Sequence, residues 1–397
     1  MLRPPMSKSL DLVVYGATGY TGHLAVLYLA EHAPPALRWA IAGRDRRKLE
    51  AIRDELRARF EREVEILVAR SDDRASLDAM TSEARVVLTT VGPYAQHGEP
   101  LVASCVEHGA DYLDITGEPE FVDRVLEVYG ERAARAGVRI VSCCGFDSIP
   151  HDLGAYFTVR ELAPKGPVTM EGFVQASGGI SGGTWHSAVG AMSRLSEQRK
   201  AARLKAKPAA TGGRTVRGLA PRPRKEPEVR GWVLPMPTID PQIVLRSARS
   251  LEVYGPDFRY GHYARVGSLA TAAALVAGVG AVAALSQLRP TRELLLKAKR
   301  QGEGPSEEVR RNGHFRVTFV ARSGGEKLVT RVSGGEPGYA ETSKMISECA
   351  LALVFDRERL PKAAGVLTTA EALGEVLIER LVRAGIRFEV LERSREA

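Results

Sequence analysis

Only four cysteines occur in the 397 residues, Cys105, Cys143, Cys144 and Cys349, and none of them forms a CxxC. Metal-ligand spacing of His and Cys is missing too, so no metal centre is expected and the thiols read as reduced, in a cytoplasmic protein. The N-terminus, MLRPPMSKSL, lacks the apolar core of a signal peptide. Charge is unevenly placed. The formal net charge is +8, yet residues 194–230 hold twelve Lys/Arg and three Asp/Glu, a net of +9, which leaves the rest of the chain near −1. Within that Pro/Gly/Lys/Arg-rich segment there is little aromatic interleaving and no RNA- or DNA-binding signature, so no nucleic-acid partner is expected. A solvated loop and a surface drawn to anionic lipid head groups or an acidic partner are its two readings.

What the chain does have is regular alternation. DLVVYG (11–16), RWAIAG (38–43), VEILVA (64–69), RVVLTTV (85–91), DYLDIT (111–116) and VRIVSC (138–143) read as buried strands, and amphipathic patterns such as DRRKLEAIRDELRARF (45–60) separate most of them. Near-continuous Val/Ile/Leu runs suit a parallel sheet covered on both faces, and right-handed crossovers make it doubly wound. The fold class is therefore α/β, a Rossmann sheet over 1–150. A second, α+β substrate domain with an antiparallel sheet is expected over 151–340, and C-terminal helices and a strand, 341–397, are expected to pack back near the first domain.

Gly16, Gly19 and Gly22 form GxxGxxG between the first strand and the first helix. Gly16 lets the chain leave the strand sharply, Gly19 removes a Cβ where a diphosphate approaches, and Gly22 allows close helix packing. The N–H groups across Thr18, Gly19, Tyr20 and Thr21, beside Ala17, would then face the phosphates at the positive end of the helix. At the tip of the second strand, where an NAD site places a carboxylate, stand Ala42, Gly43 and Arg44. Arg44 can hold a 2′-phosphate through its planar fork, with Arg47 or Lys48 adding charge, so NADP(H) is the expected cofactor. TTVGPYAQHG (89–98) follows the fourth strand beside the nicotinamide crevice. Gly92 and Pro93 would let the backbone approach the cofactor there, while Tyr94 and His97 could face a substrate or could shape the loop.

YGATGYTG, LTTVGPYAQHG, DYLDITGE (111–118) and CGFDSIPHDLG (144–154) together resemble the saccharopine dehydrogenase-like oxidoreductases, and within them the trans-acting enoyl reductase branch. SGGTWHSA (181–188), the FRYGHY region (258–263), RNGHFRVTF (311–319), ALALVFDRERL (350–360) and GVLTTAEALGEVLIERL (365–381) extend the likeness to nearly the whole chain. The resemblance implies an NADP-type Rossmann domain, an α/β substrate domain, a phosphate loop at Gly16–Gly22 and a nicotinamide-side loop at Thr90–Tyr94, with Thr90 among the residues lining the cofactor. No cationic set for a dicarboxylic amino acid is matched, and the branch implies a lipid or polyketide-derived substrate instead. The reaction expected is NADPH-dependent reduction of an activated carbon–carbon double bond. Tyr94 is the expected proton donor and Ser148 a holder of the substrate carbonyl, with Asp147 orienting the GFDS turn; a helix N-cap is the plainer role for Asp147 and Ser148. A membrane-associated nucleotide-binding scaffold without turnover and a ketone or imine reductase are the competing readings.

VGSLATAAALVAGVGAVAALSQL (266–288) carries no charge over 23 residues and contains eight alanines and three glycines. It reads as a buried helix, a shallow membrane insertion or a span. Peripheral association with anionic membrane at the inner face of the plasma membrane is the corresponding expectation, and a homo-oligomer is compatible with the sequence. HFRVTFVARSGGEKLVTRVSGGEPGY (314–339) alternates across a Ser-Gly-Gly turn and is expected to form a hairpin beside EGFVQASGG (171–179).

Overall fold

The computed structural model describes residues 8–177, 185, 189–190, 192–193, 213–298 and 306–395. Of the expected basic loop, 194–230, residues 194–212 lie outside these residues, as does most of SGGTWHSA. The chain divides into two compact units, Met1–Gly145 with Thr342–Arg380, and Phe146–Glu341 with Leu381–Ala397.

In the first unit the six apolar runs form β1 (Leu10–Tyr15), β2 (Trp39–Gly43), β3 (Glu65–Val68), β4 (Ala84–Thr89), β5 (Asp111–Asp114) and β6 (Arg139–Val141). Between them lie α1 (Tyr20–His32), α2 (Arg46–Phe60), α3 (Arg74–Glu83), α4 (Tyr94–His97), α5 (Glu99–His108) and α6 (Pro119–Ala136). Every strand pairing is parallel, with Val14 opposite Ile41 on one side and Leu88 on the other. A further strand from the C-terminal third, Gly365–Leu367, extends the sheet beside β6. That addition was not foreseen, because a three-residue run carries no periodicity. The order reverses between β1 and β4, which places their carboxyl ends at the crevice where doubly wound sheets bind nucleotides. β1 is buried at all six positions, as the continuous apolar run requires. The helix Thr342–Phe355 packs against α1 and β4 of the same unit.

The second unit is built on a mixed sheet. β7 (Val168–Ser177) runs antiparallel to the hairpin strand His314–Ser323, which pairs in turn with Glu326–Gly334. The hairpin and its neighbour are as the alternation predicted. The sheet is not wholly antiparallel, however, because Asp257–Val266 pairs parallel with β7 and with Thr215–Gly218. Residues 213–230 are correspondingly not a plain loop, since they also supply the strand Arg224–Glu226. Arg224 is tied to Glu171 and Glu226 at 2.8 Å and lies over the Tyr263 ring, so part of the basic excess is locally compensated. The C-terminal tail divides: its last strand, Arg387–Arg395, pairs antiparallel with Glu326–Gly334 and belongs to this unit. Backbone hydrogen bonding of an edge decides that placement, and local pattern does not encode it. α7 (Ile149–Leu162) packs on the hairpin strands, with Thr158 and Thr330 hydroxyls 2.6 Å apart between them.

The apolar stretch forms the helix Leu269–Gln287, capped by Ser268 accepting from the Thr271 N–H at 3.1 Å. Among the described residues it is the one helix long and apolar enough to cross a membrane, and only 11% of its apolar window is buried. A buried helix is therefore not what the structure shows; Val276 is 59% and Leu269 58% exposed.

Candidate functional site

The glycine turn is shaped by its own sterics. Gly16 has φ +93°, a region that L side chains rarely enter, and a Cβ there would meet Val91 Cγ2 at 2.8 Å and Thr90 Oγ1 at 2.9 Å. A Cβ on Gly22 would strike the Gly16 carbonyl oxygen at 2.2 Å. Gly19 differs: the nearest atom to an added Cβ is the Gly16 oxygen at 3.3 Å, and Gly19 is exposed. Gly16 and Gly22 are thus glycines for the protein's own packing, whereas Gly19 leaves outward space for a ligand. The α1 hydrogen-bond ladder begins with the His23 N–H donating to the Gly19 carbonyl at 2.8 Å. The N–H groups of the first turn, Tyr20 to Gly22, precede that ladder and mark the positive end of the helix. Ala17 is buried, while Thr18, Tyr20 and Thr21 are half-buried around the turn. Ser343 donates its hydroxyl to the Thr21 carbonyl at 3.2 Å, a brace from the C-terminal helix that the sequence did not disclose.

Arg44 follows β2 directly and is exposed, as are Arg47 and Lys48. The next residue, Asp45, is occupied as the N-cap of α2 and accepts the Lys48 N–H at 3.2 Å. Arg44 is consequently the first free-reaching charge at the strand tip, where a 2′-phosphate would sit.

Beyond β4, the Thr90 hydroxyl donates to the Gly16 carbonyl at 3.3 Å and so joins this loop to the glycine turn. Gly92 is exposed, Pro93 is half-buried, and the peptide between them is cis. Tyr94 is placed otherwise than expected of a proton donor. Its ring is buried against Phe121, its hydroxyl donates to the Thr89 carbonyl at 3.2 Å, and the Ile115 N–H donates to that hydroxyl at 3.4 Å. Burial first, then the nearby Asp114 carboxylate, raises its pKa well above the usual phenol value. Tyr94 is a wedge that fixes the loop. Glu118 fixes it from below, accepting the Tyr94 and Ala95 N–H groups at 3.0 and 2.9 Å through its two carboxylate oxygens. Its partner in the same wall is Asp114, which accepts from the Thr116 and Cys143 N–H groups and the Ser142 hydroxyl at 2.9–3.0 Å. Burial nonetheless pushes the Asp114 carboxyl up to about 6. Neither acid was singled out from sequence, where each is one more charge at a strand end. His97 is exposed.

Ser148 belongs to the second unit and is fully buried, at φ +117°. It occupies the N-cap position of α7 but makes no side-chain cap; its hydroxyl donates instead to Asp240 Oδ1 at 3.3 Å. The Ser148 hydroxyl is therefore committed inside a polar cluster rather than presented to a substrate. His151, Asp240 and His262 complete that cluster, each about 1–3% exposed. Asp147, half-buried beside it, has its carboxyl raised by burial and by the Asp240 charge.

Residues 12–141 match the saccharopine dehydrogenase NADP binding domain family. The chain is 34% identical to the trans-acting enoyl reductase of Mycobacterium ulcerans over 409 residues, 96% of this chain and 97% of that protein. It is 34% identical to the trans-acting enoyl reductase of Mycobacterium tuberculosis over 414 residues, covering 96% and 98%. A second M. tuberculosis relative with a trans-acting enoyl reductase name is 37% identical, again over 96% of this chain and 97% of its own length. In fold, the chain is similar to apo saccharopine dehydrogenase (L-Glu forming) from Saccharomyces cerevisiae, with TM-score 0.56, 11% identity, and coverage of 96% of this chain and 100% of that one.

Proposed function

The chain belongs to the trans-acting enoyl reductase family of saccharopine dehydrogenase-like, NADP-dependent oxidoreductases, and on that premise we propose that it reduces the activated double bond of an enoyl group on a lipid or polyketide-derived chain. The observation that supports the cofactor half is the pairing of an open Gly19 with a free-reaching Arg44 at the tip of β2. NADPH, when bound, supplies a hydride to the β-carbon, and a proton then completes the α-carbon, so that one NADPH and one proton are consumed per double bond. The residues of this chain do the holding. The first turn of α1 receives the diphosphate, with Ala17, Thr18, Tyr20 and Thr21 setting the turn's walls. Arg44, with Lys48 beside it, receives the 2′-phosphate. Thr90, Gly92 and Pro93 form the nicotinamide-side loop, which Tyr94 and Glu118 keep in shape. Carbonyl polarisation by preorganised donors is what such a reduction requires of the enzyme.

The helix Leu269–Gln287 supports a lipidic substrate. A helix apolar on all sides is ordinarily covered by protein or by hydrocarbon, and this one is mostly exposed. At 1.5 Å per residue it is about 28 Å long, enough to enter one leaflet deeply. We read it as a peripheral anchor at the cytoplasmic face of an anionic membrane, from which the enzyme draws its substrate.

Turnover of NADPH against a panel of lipidic enoyl thioesters, ketones and imines tests the reading. Oxidation of NADPH with saturation of the enoyl chain is expected. Turnover confined to ketones or imines would overturn the assignment of the bond.

A further inference from the structure

The cluster in the second unit has the geometry of a metal site. His151 Nδ1 lies 3.3 Å from Asp240 Oδ1, and His262 Nε2 lies 3.4 Å from Asp240 Oδ2. One ligand atom from each of the three residues falls within 4.8 Å of the other two. These separations are long for a charge-assisted hydrogen bond, which runs about 2.7–2.9 Å. Each is close to the edge of a coordination tetrahedron, where two ligands about 2.0–2.1 Å from one zinc ion stand about 3.3 Å apart, and the two imidazoles face different oxygens of the one carboxylate.

The hydrogen bonding is consistent with that reading. Among the described residues, neither ring nitrogen of His151 nor Nε2 of His262 has a partner at hydrogen-bond geometry, although all three are buried. Buried polar atoms of this kind are few in folded proteins and require a reason. The other nitrogen of His262, Nδ1, is 3.1 Å from the Tyr260 hydroxyl. If Nδ1 carries the ring proton, Nε2 turns a bare lone pair toward the carboxylate, an arrangement that a cation between them satisfies. A ligating histidine commonly has its second nitrogen fixed in this way. Asp240 is 1% exposed and accepts from the Ser148 and Thr238 hydroxyls, with the Asp147 carboxyl nearby, and among the described residues no Lys or Arg is paired to it. A buried anion without a cationic partner is costly.

We propose that His151, Asp240 and His262 hold one divalent transition-metal ion of the zinc type. The three ligands come from the first turn of α7, the first turn of the helix Asp240–Ser250 and the strand Asp257–Val266. The ion thereby ties three elements of the second unit together. Imidazole with a carboxylate suits zinc and its neighbours in the first transition row rather than magnesium or calcium. Sequence spacing could not reveal the site, because the ligands are far apart in the chain.

Full-length protein expressed with added Zn2+, or refolded with Co2+, is stripped of loose metal on a weak chelator and assayed by elemental analysis and visible spectroscopy. About one equivalent of zinc and, for cobalt, visible d–d bands are expected. His262→Ala and Asp240→Asn should lower the metal content at least tenfold. Tyr260→Phe keeps every ligand and removes only the support of Nδ1, so a folded protein with affinity lowered roughly tenfold to a hundredfold is expected. Wild type that folds without retaining zinc and shows no cobalt bands overturns the proposal, leaving a proton-sharing His–Asp–His group. Metal content unchanged in folded His262→Ala also overturns it, because the ion would then lie elsewhere.

Discussion

The two units use polarity in opposite ways. The nucleotide unit keeps an apolar sheet inside and directs open backbone and Arg44 outward at the end of β1 and β2. The second unit seals a carboxylate and two imidazoles inside and turns an apolar helix outward. The difference teaches which features serve a ligand and which serve the fold. In the first unit, the glycine proposed to face the ligand is the one where an added Cβ has only the Gly16 oxygen, at 3.3 Å, within 4 Å. In the second, the buried carboxylate and imidazoles meet one another, and one apolar helix lies exposed.

The sharpest way to test this contrast lies within the glycine trio. Gly19→Val should abolish NADPH binding, by a hundredfold or more, with the unfolding midpoint close to that of wild type, because an added Cβ there has only the Gly16 oxygen, at 3.3 Å, within 4 Å. Gly22→Ala should instead destabilise the fold, by roughly 3 kcal/mol or more, since its Cβ would meet that oxygen at 2.2 Å. Calorimetric titration with NADPH and urea unfolding of both variants separate the two effects. Loss of stability in Gly19→Val with binding retained would reverse the assignment.

A buried acid in the first unit gives the next effect. The Asp114 carboxyl sits at about 6 in the folded protein, above its value of ~3.9 in the unfolded chain. The folded state therefore keeps a proton that the unfolded state releases. That contribution to stability is fully present below pH ~4 and is lost as the pH rises through about 6, a change of about 3 kcal/mol. Asp114→Asn cannot ionise and can still accept the Thr116 and Cys143 N–H groups. The stability of the variant relative to wild type should rise between pH 4 and 7, as read from urea unfolding across that range. A difference that does not vary with pH would show that Asp114 ionises without penalty.

Arg44→Ala should weaken NADPH binding by about 1.5–3 kcal/mol, roughly tenfold to a hundredfold, while NADH binding changes little. Equal affinities of wild type for the two cofactors would remove the role given to this residue. The smallest effect is expected on the apolar side. Val276→Ser should lower partition onto anionic vesicles about tenfold, the loss of roughly 1.5 kcal/mol of apolar burial, in the part of binding that persists at high salt. Cofactor affinity should not change. Wild-type protein left in the supernatant at low salt would instead mean that another protein surface covers the helix.

Six of the strands in the first unit and the glycine turn were legible because buried parallel strands and a phosphate loop are local patterns, readable within a few residues. Pattern alone could not separate the roles of Gly19 and Gly22, since both are simply glycines in the same motif; the neighbouring Gly16 carbonyl distinguishes them. Tyr94 was expected to face a substrate because its loop does, but the buried wall formed by Thr89, Ile115 and Phe121 turned the ring inward. Ser148 was read from its place before a helix, and the contact that engages its hydroxyl, Asp240, comes from a remote helix.

The sequence by itself determined the Rossmann architecture, the position of the glycine turn between β1 and α1, the expectation of NADP(H) and the hairpin of the second sheet. All of these follow from hydrophobic period, glycine placement and one charge at a strand tip, and such interactions act between near neighbours in the chain. Tertiary structure alone decided the added strand Gly365–Leu367, the assignment of Arg387–Arg395 to the second sheet and the gathering of His151, Asp240 and His262. Each joins residues far apart in the chain, by edge hydrogen bonds or by burial of polar groups that stabilise only together. No local pattern records a partner that chain folding has yet to bring near.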